Sequence, residues 1–325
     1  TVDLINTRLK ESLLTRFKLG MFDPLGVNPY DAISSEVVDS QKHRNLAKEV
    51  AQKSIVLLKN KNNILPLNKN IESIYVVGPS ASSEEVLLGN YYGLTSSTQT
   101  ILDGIVSKVS AGTTINYKHG VLPYRNNVNP IDWSSGEAGQ SDVCIAVMGI
   151  SGLFEGEEGE ALASSSKGDK TNLKLPQNQI DYIKKIRSKS DKPIVLILTG
   201  GSPIAIPELL DLVDAVIFAW YPGEEGGSAL SDILFGDVSP SGKLPITFPK
   251  SVEQLPAYED YNMKGRTYKY MVKEPLFPFG FGLSYTRFEY ENLQIDSNFM
   301  VSVDVKNIGE RTSDEVVQLY ISSPK

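Results

Sequence analysis

The sequence predicts an α/β protein, with a mainly parallel sheet sandwiched by helices and followed by the start of a β-sandwich. Two observations lead there. Apolar runs of strand length alternate with helical patterns between residues 40 and 235, as strands and crossover helices of a parallel sheet do. From Phe288 onward the pattern changes to alternation, in residues 299–305 and 315–321, divided by Asn307-Ile308-Gly309-Glu310. Such alternation marks half-buried strands.

Taken in order, the first element is a helix over residues 3–19. Leu4, Ile5, Leu9, Leu13, Leu14 and Phe17 recur at helical spacing and Gly20 supplies a C-cap. Its apolar face requires a partner. A second helix is expected over about 40–53, running directly into a strand over 54–58. The next strand, 71–77, ends in the turn Gly78-Pro79. Helix 98–109, strand 113–117, a Pro/Asn-rich excursion through Trp133 and strand 143–148 continue the alternation. Pro176 opens the helix before residues 179–189, and strands 193–199 and 215–220 precede a helix over 226–235. After Pro249 the residues to Tyr285 are rich in Tyr, Phe, Pro and Gly without a period, which predicts an extended linker packed along a surface. A β-sandwich of the immunoglobulin type needs about seven strands. Only about three fit before Lys325, so the chain is expected to stop inside a domain.

Composition bounds the function. The 325 residues are 41% hydrophobic and 22% charged, with a net charge of −7, ordinary for a soluble globular protein with a sizeable core. No Lys/Arg-rich run is present, which argues against nucleic acid or an anionic membrane surface as partner. The single cysteine, Cys144, lies in the most apolar strand. It permits no internal disulfide and reads as a core filler, leaving the compartment undecided. No apolar run approaches a membrane span. The N-terminus Thr1-Val2-Asp3 has neither initiator Met nor signal peptide, so the chain is expected to be processed or cut from something longer.

The stretch with most chemistry follows the strand ending at Gly149. There the loop from Ile150 to Glu160 carries four carboxylates, Glu155, Glu157, Glu158 and Glu160, among Gly152, Gly156 and Gly159. The C-terminal ends of strands in an open α/β sheet border the ligand crevice. Crowded, desolvated carboxylates raise one another's pKa, so at least one is expected to hold a proton near neutral pH. The competing reading is a solvated acidic loop.

Other chemistries lack their residues. Between Gly236 and Gly242-Lys243 stand five residues, where a Walker A loop has four, and Leu244 replaces its Ser or Thr. No Gly-x-Gly-x-x-Gly follows a strand. Gly78-Pro79-Ser80 and Gly200-Gly201-Ser202 read as plain strand-end turns. His43 and His119 lie near no Gly-x-Ser-x-Gly elbow and in no metal-type cluster. Trp133 and Trp220 could stack on a sugar, with ordinary packing the favoured reading.

Several segments together resemble glycoside hydrolase family 3. Arg16-Phe17-Lys18-Leu19-Gly20-Met21-Phe22-Asp23 is similar to the end of that family's catalytic barrel. Ser54-Ile55-Val56-Leu57-Leu58-Lys59-Asn60 with Leu65-Pro66-Leu67 resembles the entry to its second domain. Gly168-Asp169-Lys170 through Leu175-Pro176-Gln177 resembles the segment after the acid/base loop, with Lys170 where Arg is usual. Pro222-Gly223-Glu224-Glu225-Gly226-Gly227, Ser239-Pro240-Ser241-Gly242-Lys243-Leu244-Pro245 and Pro278-Phe279-Gly280-Phe281-Gly282-Leu283-Ser284-Tyr285 complete the set.

The resemblance implies a retaining β-glycosidase of β-xylosidase or β-glucosidase type, with the loop slightly closer to the xylosidases. It divides the chain into the last helix of a (β/α)8 barrel (1–25), an α/β sandwich domain (26–250), a linker (251–286) and a partial fibronectin-III-like domain (287–325). In this family the nucleophile Asp comes from the barrel and the acid/base Glu from the sandwich domain. Glu155, sixth after Gly149, is the first choice for acid/base and Glu158 the second, while Glu157 would bind a sugar hydroxyl or hold the loop. Residues 1–24 are too few for a barrel, so the nucleophile is expected outside this chain and Asp3 and Asp23 are not assigned that role. Alone, the chain is expected to be inactive or nearly so. The implied partners are an oligosaccharide or aryl or alkyl β-glycoside and the barrel domain. No cofactor or metal is needed, and a periplasmic or secreted location is favoured by the resemblance. The competing function is a non-catalytic carbohydrate-binding or scaffold module of the same fold.

Overall fold

The computed structural model describes residues 1–156, 159, 161–164 and 166–322. Two compact units divide the chain, Thr1–Arg44 and Asn45–Lys325. In the first unit, α1 (Val2–Lys18) carries Asp3 in its first turn and Arg16 and Lys18 in its last, charges that complement the helix dipole. Leu9, Leu14 and Phe17 on its apolar face remain exposed, so the face expected to need a partner is still open to solvent.

In chain order the remaining elements begin with α2 (Gln41–Ser54), β1 (Val56–Asn60), β2 (Ser73–Val77), α3 (Ile101–Lys108), β3 (Thr114–Lys118), α4 (Ser134–Glu137) and β4 (Val143–Gly149). There follow α5 (Gly152–Glu155), α6 (Gln177–Lys189), β5 (Ile194–Thr199), β6 (Ala215–Trp220), α7 (Gly226–Leu234), α8 (Thr267–Tyr270), β7 (Phe288–Ile295) and β8 (Val301–Asn307).

Six strands form one sheet in the order β1-β6-β5-β4-β2-β3. All neighbours are parallel except β1, which pairs antiparallel with β6 at the edge. Every residue of β4 and β5 is buried, because alternate side chains enter cores on opposite faces. On one face Tyr75, Cys144, Ala146, Leu196 and Phe218 pack against Ile180, Ile183 and Ile186 of α6. On the other, Val76, Ile145, Val147, Ile197 and Ile217 pack against Ile101 and Ile105 of α3 and Leu230 and Ile233 of α7. Cys144 sits in the first core as expected, and burial pushes its thiol up to about 12. Trp220 packs edge-on against Phe218 and Phe248 and donates its indole N–H to Ser54 O at 3.0 Å. Trp133 is 82% exposed, against the expectation of ordinary packing.

At the C-terminus β7 and β8 form a separate antiparallel pair. The strand expected over 315–321 is not formed. Its side chains are tied singly: Glu315 accepts a hydrogen bond from Tyr290 Oη at 2.8 Å and pairs with Lys243. No described strand offers its backbone a ladder, and alternation without one leaves Val317 and Leu319 exposed. Among the described residues no helix is long and apolar enough to cross a membrane.

The sheet order places a topological switch between β2 and β4. The connection from β2 runs through α3 to β3 on one side, and that from β4 runs through α6 to β5 on the other. Loops leaving two neighbouring strands in opposite directions open the crevice in which such sheets bind ligands.

Candidate active site

At the switch point two glycines let the strands approach closely. Gly149 has φ +145, and a Cβ there would lie 2.2 Å from Thr199 O. Gly78, at φ +128, would put a Cβ 2.0 Å from Val147 O. Behind Gly149, the fully buried Gln179 of α6 accepts its N–H at 2.9 Å and donates to its carbonyl at 2.8 Å. The end of β4 is thereby held where the acidic loop begins.

The loop opens as the one-turn helix α5, capped by Ser151, whose Oγ accepts from Leu153 N–H at 3.3 Å. The Ser151 hydroxyl also donates to Glu85 on the loop after β2 and meets the Tyr124 phenol. Tyr124 stacks on Phe154 with ring centroids 5.5 Å apart. Burial, with Glu85 nearby, raises the Tyr124 phenol above its ordinary range. The loop after β2 continues past Glu84, Glu85, Tyr92 and Thr95, which line a cavity of about 650 Å³.

Glu155 ends α5 with its side chain only 11% exposed. Lys170 Nζ lies 2.9 Å from Oε1, and Ser202 donates its hydroxyl to the same oxygen. On Oε2, Gly201 N–H and the Tyr221 hydroxyl each donate at 2.6 Å. These donors come from the segments following β4, β5 and β6. The strand ends are nearly level, Gly149 facing Thr199 and Thr199 facing Trp220 after a bulge. Trp220 itself takes the left-handed conformation at φ +59, which costs a non-glycine residue on the order of 1 kcal/mol or more and leads directly into Tyr221.

Burial alone would raise the Glu155 carboxyl. Lys170, Ser202, Tyr221 and the Gly201 amide together outweigh it and hold the group below the usual carboxylate value. Tyr221 moves the other way, its phenol raised by burial and by the Glu155 charge. The proton expected from crowded carboxylates is therefore not on Glu155. Glu157, Glu158 and Glu160 lie outside the described residues.

The residues that sequence reasoning missed are Lys170, Gly201, Ser202, Tyr221 and Glu85. Lys170 stood out only as a departure, and Gly200-Gly201-Ser202 as a plain turn. Their signal was positional, since each of the first four follows a buried strand that ends at the same sheet edge. His43 and His119 take no part in the site, and no described group of His, Cys, Asp and Glu could hold a metal.

Residues 55–285 match the family model of the glycosyl hydrolase family 3 C-terminal domain. The chain is 35% identical over 99% of its length to a periplasmic beta-glucosidase of Salmonella typhimurium, covering 46% of that protein. With a beta-xylosidase of Formosa agariphila it shares 36% identity over 95% of its length, covering 44% of the relative. Among solved structures, a GH3 exo-beta-xylosidase in complex with a xylobiose aziridine probe superposes with a TM-score of 0.76 at 31% identity, over 88% of this chain and 40% of that one. A Listeria innocua beta-glucosidase in complex with isofagomine gives 0.71 at 26% identity, over 91% of this chain and 42% of that one. The chain thus spans less than half the length of each of these relatives. On this similarity and this topology, the chain belongs to glycosyl hydrolase family 3 and contains its C-terminal domain.

Proposed function

We propose that the chain is the C-terminal part of a retaining, exo-acting β-glycosidase of β-xylosidase or β-glucosidase type. Its part in the reaction is to supply the general acid/base from the acidic loop containing Glu155, Glu157 and Glu158. The nucleophilic Asp comes from a (β/α)8 barrel, of which residues 1–25 are the last helix. Residues 26–250 then form the sandwich domain, 251–286 the linker, and 287–325 the start of a fibronectin-III-like domain.

The observation that carries this reading is the place of the acidic loop in a family 3 chain. It leaves β4 at the switch between β2 and β4, the edge where an α/β sheet meets its ligand. In a retaining mechanism one carboxylate attacks the anomeric carbon while a second, about 5 to 5.5 Å away, protonates the departing oxygen. That second group then takes a proton from the water that opens the glycosyl-enzyme. A carboxylate carried on a loop at that edge is suited to the second role, because the nucleophile is supplied from elsewhere.

The test is hydrolysis of nitrophenyl β-xyloside and β-glucoside by the complete protein, with product configuration followed by NMR, beside the same assay on this chain alone. Turnover by the complete protein with retained configuration, and none by the chain alone, is the expected result. Sugar binding without turnover by the complete protein would instead establish a carbohydrate-binding module.

A further inference from the structure

We infer that Glu155 is a positioning carboxylate of the acidic loop rather than its proton donor. The inference rests on the glycosidase reading for its chemistry, while the anchoring itself stands on geometry alone.

An ionised carboxylate offers about four lone-pair directions. On Glu155 all four are taken, by Lys170 and Ser202 at Oε1 and by Gly201 N–H and Tyr221 Oη at Oε2. A general acid must present a protonated oxygen to the leaving group within hydrogen-bond reach. Glu155 has no lone pair left for a proton or a substrate oxygen. To act as acid it would have to abandon an ammonium and a buried phenol, leaving Lys170, itself 13% exposed, without its counter-ion. The cost of such a break opposes proton transfer at this position.

The same contacts do something else well. Glu155 ties the end of α5 to the segments after β4, β5 and β6 at a single point. Behind it, Ser151 ties the start of α5 to Glu85 after β2. The chain leaving Glu155 through Gly156 therefore starts from a place set by four loops. A proton donor loses much of its effect when misplaced by about 1 Å. The anchor carries a charge for a second reason: the negative Glu155 offsets Lys170⁺ inside the site.

The experiment uses the complete protein and the variant Glu155→Gln, with Tyr221→Phe as a milder variant that keeps the carboxylate and removes one of its donors. The rates compared are kcat/KM for phenyl and dinitrophenyl β-glycosides across pH, and kcat on the dinitrophenyl glycoside with and without azide. In Glu155→Gln the expected result is a similar loss on both substrates, about 10-fold to 100-fold, with no azide rescue. The basic limb of the pH profile is retained and moves to lower pH, because unbalanced Lys170⁺ favours the acid's ionised form. Tyr221→Phe gives a smaller loss of the same pattern. A loss of kcat/KM concentrated on the phenyl glycoside, with azide raising kcat on the dinitrophenyl glycoside and the basic limb abolished, would make Glu155 the acid/base and overturn the inference. An unmoved basic limb would reduce Glu155 to a merely structural residue and overturn it too. Wild-type turnover of the same substrates tests the glycosidase reading separately. Amide hydrogen exchange of residues 152–156 and 200–202 tests the anchor without turnover, since it must accelerate in Glu155→Gln.

Discussion

Lys170 Nζ stands 2.9 Å from Glu155 Oε1, with the two side chains 13% and 11% exposed. Removing one partner of such a pair strands the other charge in a poorly solvated place. Lys170→Met is expected to lower stability by about 3 kcal/mol at neutral pH. The Glu155 carboxyl is held below its ordinary 4.5. Its contribution is therefore present above that value and lost as pH falls through the lowered folded-state pKa. Thermal unfolding of the two proteins should differ most at neutral pH and converge in acid. A difference that does not change with pH would show that the pair contributes no electrostatic stability.

Gln179 holds both backbone groups of Gly149 and also donates to Pro123 O at 2.7 Å. Gln179→Leu keeps an apolar body but leaves the buried Gly149 N–H and carbonyl without their partner, at a cost of about 2–4 kcal/mol for two such groups. Chemical denaturation should show the loss with an unchanged m-value. Wild-type stability in this variant would mean that the end of β4 is held by other contacts.

Gly149→Ala meets a backbone obstacle. The new Cβ would lie 2.2 Å from Thr199 O, at a φ of +145 that L-residues rarely adopt. Relief requires β4 and β5 to separate at the mouth of the site, so the variant is expected to lose at least about 3 kcal/mol or fail to accumulate. Circular dichroism and soluble yield measure this. A normally folded alanine variant would show that the close pairing at this position is not needed.

Asp232, 4% exposed on α7, accepts from Gln52 Nε2 at 2.7 Å and pairs with Lys48 at 2.6 Å and with Lys108. It joins α2, α3 and α7 on one face of the sheet. Asp232→Asn leaves two partly buried ammonium groups short of a counter-charge and should cost about 3 kcal/mol. Burial works to lower the Lys108 pKa, but Asp232 and Asp237 raise it above 10.5 overall. That contribution is full below the unfolded value and lost only as pH rises through the folded one. Differential scanning calorimetry between pH 6 and 9 should therefore show a constant deficit. A deficit that vanishes within this range would contradict the assignment.

Much of the sheet was legible because β4, β5 and β6 are uninterrupted apolar runs of strand length, and such runs need burial on both faces. The antiparallel β1 was not legible. Its run Val56-Leu57-Leu58 looks like the others, and direction depends on which edge of the sheet the preceding helix α2 reaches. The alternation at 315–321 misled for a related reason, since a pattern records which faces differ and not whether a neighbouring strand is present. At the site, the acidic loop announced itself through its composition. Its clamp did not, because Lys170, Gly201, Ser202 and Tyr221 are common residues whose meaning comes from strand order. The direction of the Glu155 shift reversed with them: neighbouring carboxylates were visible in the sequence, and the lysine that together with Ser202, Tyr221 and Gly201 outweighs burial was 15 residues away.

The most direct measurement uses the complete protein with Glu157→Ala and Glu158→Ala combined, leaving Glu155 in place. On the phenyl β-glycoside kcat/KM should fall by about 10² to 10⁴ and that on the dinitrophenyl β-glycoside far less, while kcat on the dinitrophenyl glycoside is raised by azide, which opens the glycosyl-enzyme as a β-glycosyl azide. Wild-type rates on both substrates in that double variant would place the proton donor elsewhere and contradict the central claim.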